Sequence, residues 1–142
     1  MKLTGHLHLV HRNPGGETLA AWEVDNLIVN EGLAYIATSM LVGATAYLNN
    51  LGVSKNAGAV SPTEVGGDIV DGLYGTVTAR SRIGFAARHV ATITGPGGGE
   101  TYYSAVLVDS DTLPVLISRA LIGVTHLAEN DTLEITWDIT VS

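Results

Sequence analysis

Near its end the chain alternates strictly: Leu133, Ile135, Trp137, Ile139 and Val141 are apolar, and Glu134, Thr136, Asp138 and Thr140 lie between them. A period of two is the signature of a strand with one buried face. Burying a large apolar side chain is worth roughly 1.5 to 3 kcal/mol, so five on one face predict a central strand. The same period opens the chain, where Leu3, Leu7 and Leu9 oppose Thr4, His6 and His8. Asn13-Pro14-Gly15-Gly16 then joins a fixed φ to two permissive residues, which predicts a reversal into a second strand over residues 18–29 and a hairpin.

The period then changes. Leu33, Ile36, Ala37, Met40 and Leu41 fall at the i, i+3, i+4, i+7, i+8 positions of one helical face. Asn30 is placed to cap that helix, Glu31 suits its first turn, and Gly43 is a stop. Residues 47–53 read as a brief strand, and residues 64–73 as a loop or frayed helical turn. Residues 74–78 and 85–94 favour strand, with Gly84 read as a bulge between them. A glycine-rich tip at 95–99, strands over 102–108 and 115–124, and a turn at Asn130-Asp131 complete the pattern. About seven or eight strands in one chain suit two packed antiparallel sheets. The expectation is an all-β, jelly-roll-like antiparallel β-sandwich forming a single domain over 1–142, with one short helix inserted at about residues 30–42.

Composition changes this picture in one respect. Charged residues make up 15% of the 142 and hydrophobic ones 46%, and the lysines are Lys2 and Lys55 alone. Soluble domains carry roughly 25% charged residues, and lysine is depleted where surfaces are covered by partners. Sparse charge therefore predicts a surface hidden by protein neighbours. The net charge of −7 repels phosphate backbones and anionic bilayers, so neither nucleic acid nor membrane is an expected partner. The opening MKLTGHLHLVHR lacks the continuous apolar stretch of a secretory signal, and no segment reaches the roughly 20 apolar residues of a spanning helix. The expected setting is the cytosol. Cysteine is absent, which removes disulfides and thiolate chemistry.

Candidate chemistry is thin. His6 and His8 share a strand face about 7 Å apart, but a closed metal site needs further ligands and none is adjacent, so no metal or other cofactor is expected. Asp109-Ser110-Asp111 is too short for a calcium loop. The glycines at 97–99 lack the helix start and Lys-Ser or Lys-Thr pair of a phosphate cradle. No nucleophile elbow or metalloprotease helix occurs, and the reading is not an enzyme. Arg80, Arg82 and Arg88 hold three of the seven basic residues and follow an acidic stretch of Glu64, Asp68 and Asp71, which offers complementary docking patches. Tyr102 and Tyr103 beside the glycine loop offer an aromatic surface. Together His6, His8, Arg80, Arg82, Arg88, Tyr102 and Tyr103 are the candidate interaction residues.

Residues 26–32, Asn-Leu-Ile-Val-Asn-Glu-Gly leading into a helix, a central Gly-rich region, and the ending Asp-Thr-Leu-Glu-Ile-Thr-Trp-Asp-Ile-Thr-Val at 131–141 resemble small structural proteins of tailed phages. Size and composition look most like the jelly-roll cement proteins that decorate capsids, of the kind carried by the Bordetella tropism-switching podophage. That resemblance implies a virion protein on the capsid surface, assembled in the host cytoplasm. Its implied partners are the major capsid protein and itself, as a homodimer rather than a trimer. A tail or fibre module binding neighbouring tail proteins or a cell-surface glycan is the alternative. A third reading, a hydrolase or small-ligand barrel, requires a deep pocket lined by perturbed titratable groups.

Overall fold

A computed structural model describes residues 2–41, 48–110 and 114–141. In chain order these form β1 (Leu3–Arg12), β2 (Thr18–Ile28), α1 (Asn30–Leu41), β3 (Asn50–Ser54), β4 (Leu73–Thr76), β5 (Ala79–Ile83), β6 (Ala86–Thr94), β7 (Glu100–Val108), β8 (Leu116–Leu127) and β9 (Thr132–Val141). Neighbouring strands pair antiparallel in the order β4-β3-β7-β8-β2-β1-β9-β6-β5. The array folds over into two facing sheets, giving the expected antiparallel sandwich with one inserted helix. Strand β2 belongs to both sheets, because Gly5 to His11 of β1 pair with its body while Leu27 and Ile28 pair with Arg119 and Ser118 of β8.

The expected first hairpin is present, closed by Asn13 and Glu17 through their backbones at 3.0 Å. Strand β9 is central, between β1 and β6, and Leu133, Ile135 and Trp137 are buried in the core beside Leu7 and Leu9. Four inferences need correction. Residues 79–83 form a strand, β5, and Gly84 with Phe85 is the two-residue turn of the β5–β6 hairpin rather than a bulge. Gly84 has φ of 59°, the value a type II′ turn requires at its first central position. Residues 95–99 carry the chain from one sheet to the other, so they are a crossover rather than a hairpin tip. There Gly95 packs so closely under Ala128 that a Cβ would meet its carbonyl.

The other two corrections concern the helix. Val29 supplies the first helical acceptor, at 3.0 Å from the Leu33 N–H, so Asn30 lies within the first turn instead of capping it. Leu33 and Ala37 face outward, whereas Gly32 is buried and Tyr35 packs on the core. The cause is contact with β8: a Cβ on Gly32 would lie 2.5 Å from the Ile117 carbonyl oxygen, so the bare glycine turns this side of α1 onto the strand. Glu31 fixes the same start by accepting the N–H groups of Leu116 at 2.7 Å and Gly66 at 2.9 Å. The side chains of Met40 and Leu41, and Gly43 and Tyr47 altogether, lie outside the described residues.

Helix α1 and the long β3–β4 loop cover the outer face of the β8 sheet, where Val29, Val106, Val108 and Leu116 make a second small core. Within this layer Arg119 is fully buried. Its guanidinium meets Glu64 through two contacts, Nε to Oε2 at 2.8 Å and Nη2 to Oε1 at 2.5 Å. It also donates to the carbonyls of Asn56, Gly58 and Ala59, so one side chain holds the loop against the sheet.

Candidate functional site

The register of β5, β6, β9, β1 and β2 aligns Ser81, Arg88, Asp138, His6 and Asp25 in one row across a sheet. Directly paired residues share a face, and this row lies on the outer one. Arg88 and Asp138 form a two-pronged ion pair, each contact 2.8 Å. His6 Nδ1 lies 2.7 Å from Asp25, and Glu23 sits 3.5 Å from both His6 and His8. Hydrogen bonding to Asp25 leads the effects that raise the His6 pKa above its usual range. His6 and His8 therefore share a face as the spacing requires, with carboxylates beside them. Among the described residues no group of three or more His, Cys, Asp or Glu is placed to hold a metal ion.

The basic triplet divides. Arg80 pairs with His89 and Arg82 with Ala87, positions on the opposite face from Arg88. Arg80 donates to the Leu48 carbonyl and Asn49 Oδ1, while Arg82 stands at the exposed edge. The acidic stretch is also spoken for in part: Glu64 is buried against Arg119, and Asp68 accepts the Val65 N–H at 2.8 Å. Arg88 and Glu64 are each paired within the chain, while Arg80, Arg82, Asp68 and Asp71 stay exposed. The tyrosine pair is corrected too. Tyr102 is buried in the core and only Tyr103 is partly accessible, since adjacent residues on a strand point to opposite faces. Asp109 closes a loop by accepting the Val115 N–H at 2.8 Å, and Asp111 lies outside the described residues.

At the Leu3 end of β1 a cleft of about 590 Å³ lies over β1, β9, β6 and β5, beside Ile36 of α1 and Leu48. Leu3, Ile36, Leu48, Phe85, Ile139 and Val141 give it apolar walls, and Ala86, Ala87 and Gly84 leave the space that larger residues would fill. His89 lines it with 8% of its surface exposed, and its Nδ1 has no hydrogen-bond partner. Burial is the largest influence on this imidazole and, with Arg80 nearby, holds its pKa below the ordinary range. Arg82 stands on the rim, without hydrogen bond or ion pair among the described residues. Sequence reasoning missed His89, although its inward parity with Ala91 and Ile93 becomes visible once β6 is known.

A pH dependence follows from His89. Its native pKa lies below the reference 6.5, so the unfolded chain binds its proton more readily. Its contribution to stability is complete above about pH 6.5 and is lost as pH falls toward the folded value. His6 acts in the other direction, its stabilisation full in acid and lost as pH rises through its raised pKa. Replacing His89 with Gln should therefore reduce the fall in Tm between pH 7 and pH 5, measured by thermal melts of both proteins. An unchanged fall would assign the acid sensitivity elsewhere.

Of the exposed large apolar side chains, Phe85 and Val124 stand out the most and mark two places. Phe85, at the tip of the β5–β6 hairpin, is 83% exposed beside a half-exposed Ile83. Val124 is 78% exposed on a bulge where residues 122–124 of β8 lie opposite Tyr103, next to a groove formed with His11 and Trp22. The two places adjoin opposite ends of β1, Leu3 and His11, about 26 Å apart at roughly 3.3 Å per strand residue. No protein-family model matches this chain, no curated protein matches it, and no solved structure matches it.

Proposed function

We propose that this chain is a structural protein of a tailed-phage particle, a cement protein that binds the major capsid lattice and stabilises the head. The supporting observation is that the two most exposed large apolar side chains, Phe85 at one end and Val124 at the other, stand far apart. Apolar side chains this exposed suit surfaces that partners cover, and two such places suit a molecule touching more than one neighbour. The sparse charge of the sequence points the same way. A homodimer clamping adjacent capsid subunits would use both ends. A ligand that binds only the assembled lattice stabilises it by its binding free energy, which is the mechanism of a cement protein.

The test uses particles from a phage genome in which this reading frame is interrupted. Heads lacking the protein should lose heat resistance and recover it by saturable binding of the purified chain. Phe85→Asp and Val124→Asp should each weaken that binding at least tenfold while shifting folding stability by no more than about 0.5 kcal/mol, as surface substitutions do. Heads that bind no added protein would end the cement reading. Protein found on the tail of normal particles would move the assignment to a tail module. The glycan-binding form of that module has lost Tyr102 to the core.

A further inference from the structure

The geometry points to the cleft over β1, β9, β6 and β5 as a binding site for a small amphiphile, an apolar chain or ring system ending in a carboxylate. This goes beyond the capsid reading and does not rest on it. Small-molecule sites are concave, mostly apolar, about 300 to 1,000 Å³ in volume, and carry a few convergent polar groups. The cleft fits each condition at about 590 Å³, with walls of Leu3, Ile36, Leu48, Ile139 and Val141. Ser81, Arg82 and His89 are the polar residues of the lining. His89, more than nine-tenths buried, lines this space with the little of its ring that is accessible, while its Nδ1 is covered by protein.

Charge decides the class of ligand. Arg80 and Arg82 project on the same face of the sheet as His89 and Ala87, their partners in register, so the rim of the cleft is cationic in a chain of net charge −7. Arg80 is held by Leu48 and Asn49, which leaves Arg82 able to take a carboxylate with two parallel hydrogen bonds. A second copy inserting its Phe85 is disfavoured, because Arg82 lies three residues from Phe85 and a twofold exchange would bring the two arginines together.

Decanoate titrated into the full-length chain is the test, followed by calorimetry and by NMR of the His89 ring and the Ala87 and Ile139 methyls. Saturable one-to-one binding with shifts at these three residues is expected. Decanol should bind roughly tenfold more weakly, and Arg82→Ala should lose about as much for decanoate, the worth of one charge-assisted contact. Ala87→Phe should fill the cleft and abolish binding. If that variant fails to fold, the wild-type shift map decides alone. No saturable binding, or shifts confined to other surfaces, would overturn the site. Equal binding of decanol together with an inert Arg82→Ala would overturn the carboxylate. Pelleting with phosphatidylglycerol vesicles without any response to free decanoate would reassign the surface to a membrane.

Discussion

Replacing Arg119 with Ala should destabilise the protein by about 3 to 5 kcal/mol, the usual cost of leaving one member of a buried ion pair unpartnered. The site makes the upper part of that range the expected one. Arg119 is wholly buried, Glu64 is nearly so, and the same guanidinium satisfies the carbonyls of Asn56, Gly58 and Ala59. Removing it strands a carboxylate and three acceptors beneath the β3–β4 loop. Glu64 retains one weaker donor, the Ser61 N–H at 3.3 Å. Urea unfolding would give the magnitude, and hydrogen exchange should show protection lost first over residues 56–66 rather than in β9. The double variant Arg119→Met, Glu64→Leu should recover much of the loss, since apolar pairs often replace buried ion pairs without penalty. A double variant as unstable as the sum of the singles would mean that the loop carbonyls, not the charge pair, carry the energy.

How much of this could be read from the sequence depends on which face each residue meets. The last strand was legible because one side of β9 meets the core and the other meets water, so composition follows geometry residue by residue. Strand β5 was not, because all of Ala79–Ile83 is exposed and its strand character comes only from pairing with β6. The Arg80, Arg82 and Arg88 grouping failed for the same reason. Without the turn at Gly84 and Phe85, nothing in the spacing separates Arg88 from the other two. Arg119 was hidden by the reverse effect. Its strand is covered on both faces, reads as a nearly continuous apolar run, and admits one charge only because a partner 55 residues away neutralises it. The cleft needed the whole fold, since Leu3, Ile36, His89 and Ile139 share no segment and meet only when four elements converge. Function was least legible, for no local motif joins exposed apolar residues such as Phe85 and Val124 to a particular neighbour.

Trp137→Ala should cost about 3 to 5 kcal/mol, and the contrast with Trp137→Phe is more informative than the loss itself. Trp137 is fully buried on the central strand, opposite Leu7 on one side and His89 on the other, so truncation to Ala opens a cavity that neither neighbouring strand can collapse to fill. Its indole N–H is also buried without a partner. An unpaired donor of this kind carries a penalty of about 1 to 3 kcal/mol, which Phe would remove while keeping most of the aromatic volume. The two effects oppose each other in Phe and act on very different scales in Ala. Trp137→Phe should therefore lose less than about 1.5 kcal/mol, the range of near-isosteric core exchanges, by chemical denaturation followed with circular dichroism. If Phe proves as damaging as Ala, the ring volume next to His89 is indispensable and the indole nitrogen has a partner after all, such as an ordered water. Because His89 forms the inner wall of the cleft, the same pair of variants should also rank decanoate affinity, with Phe near the parent and Ala well below it as the imidazole loses the ring that fixes its orientation.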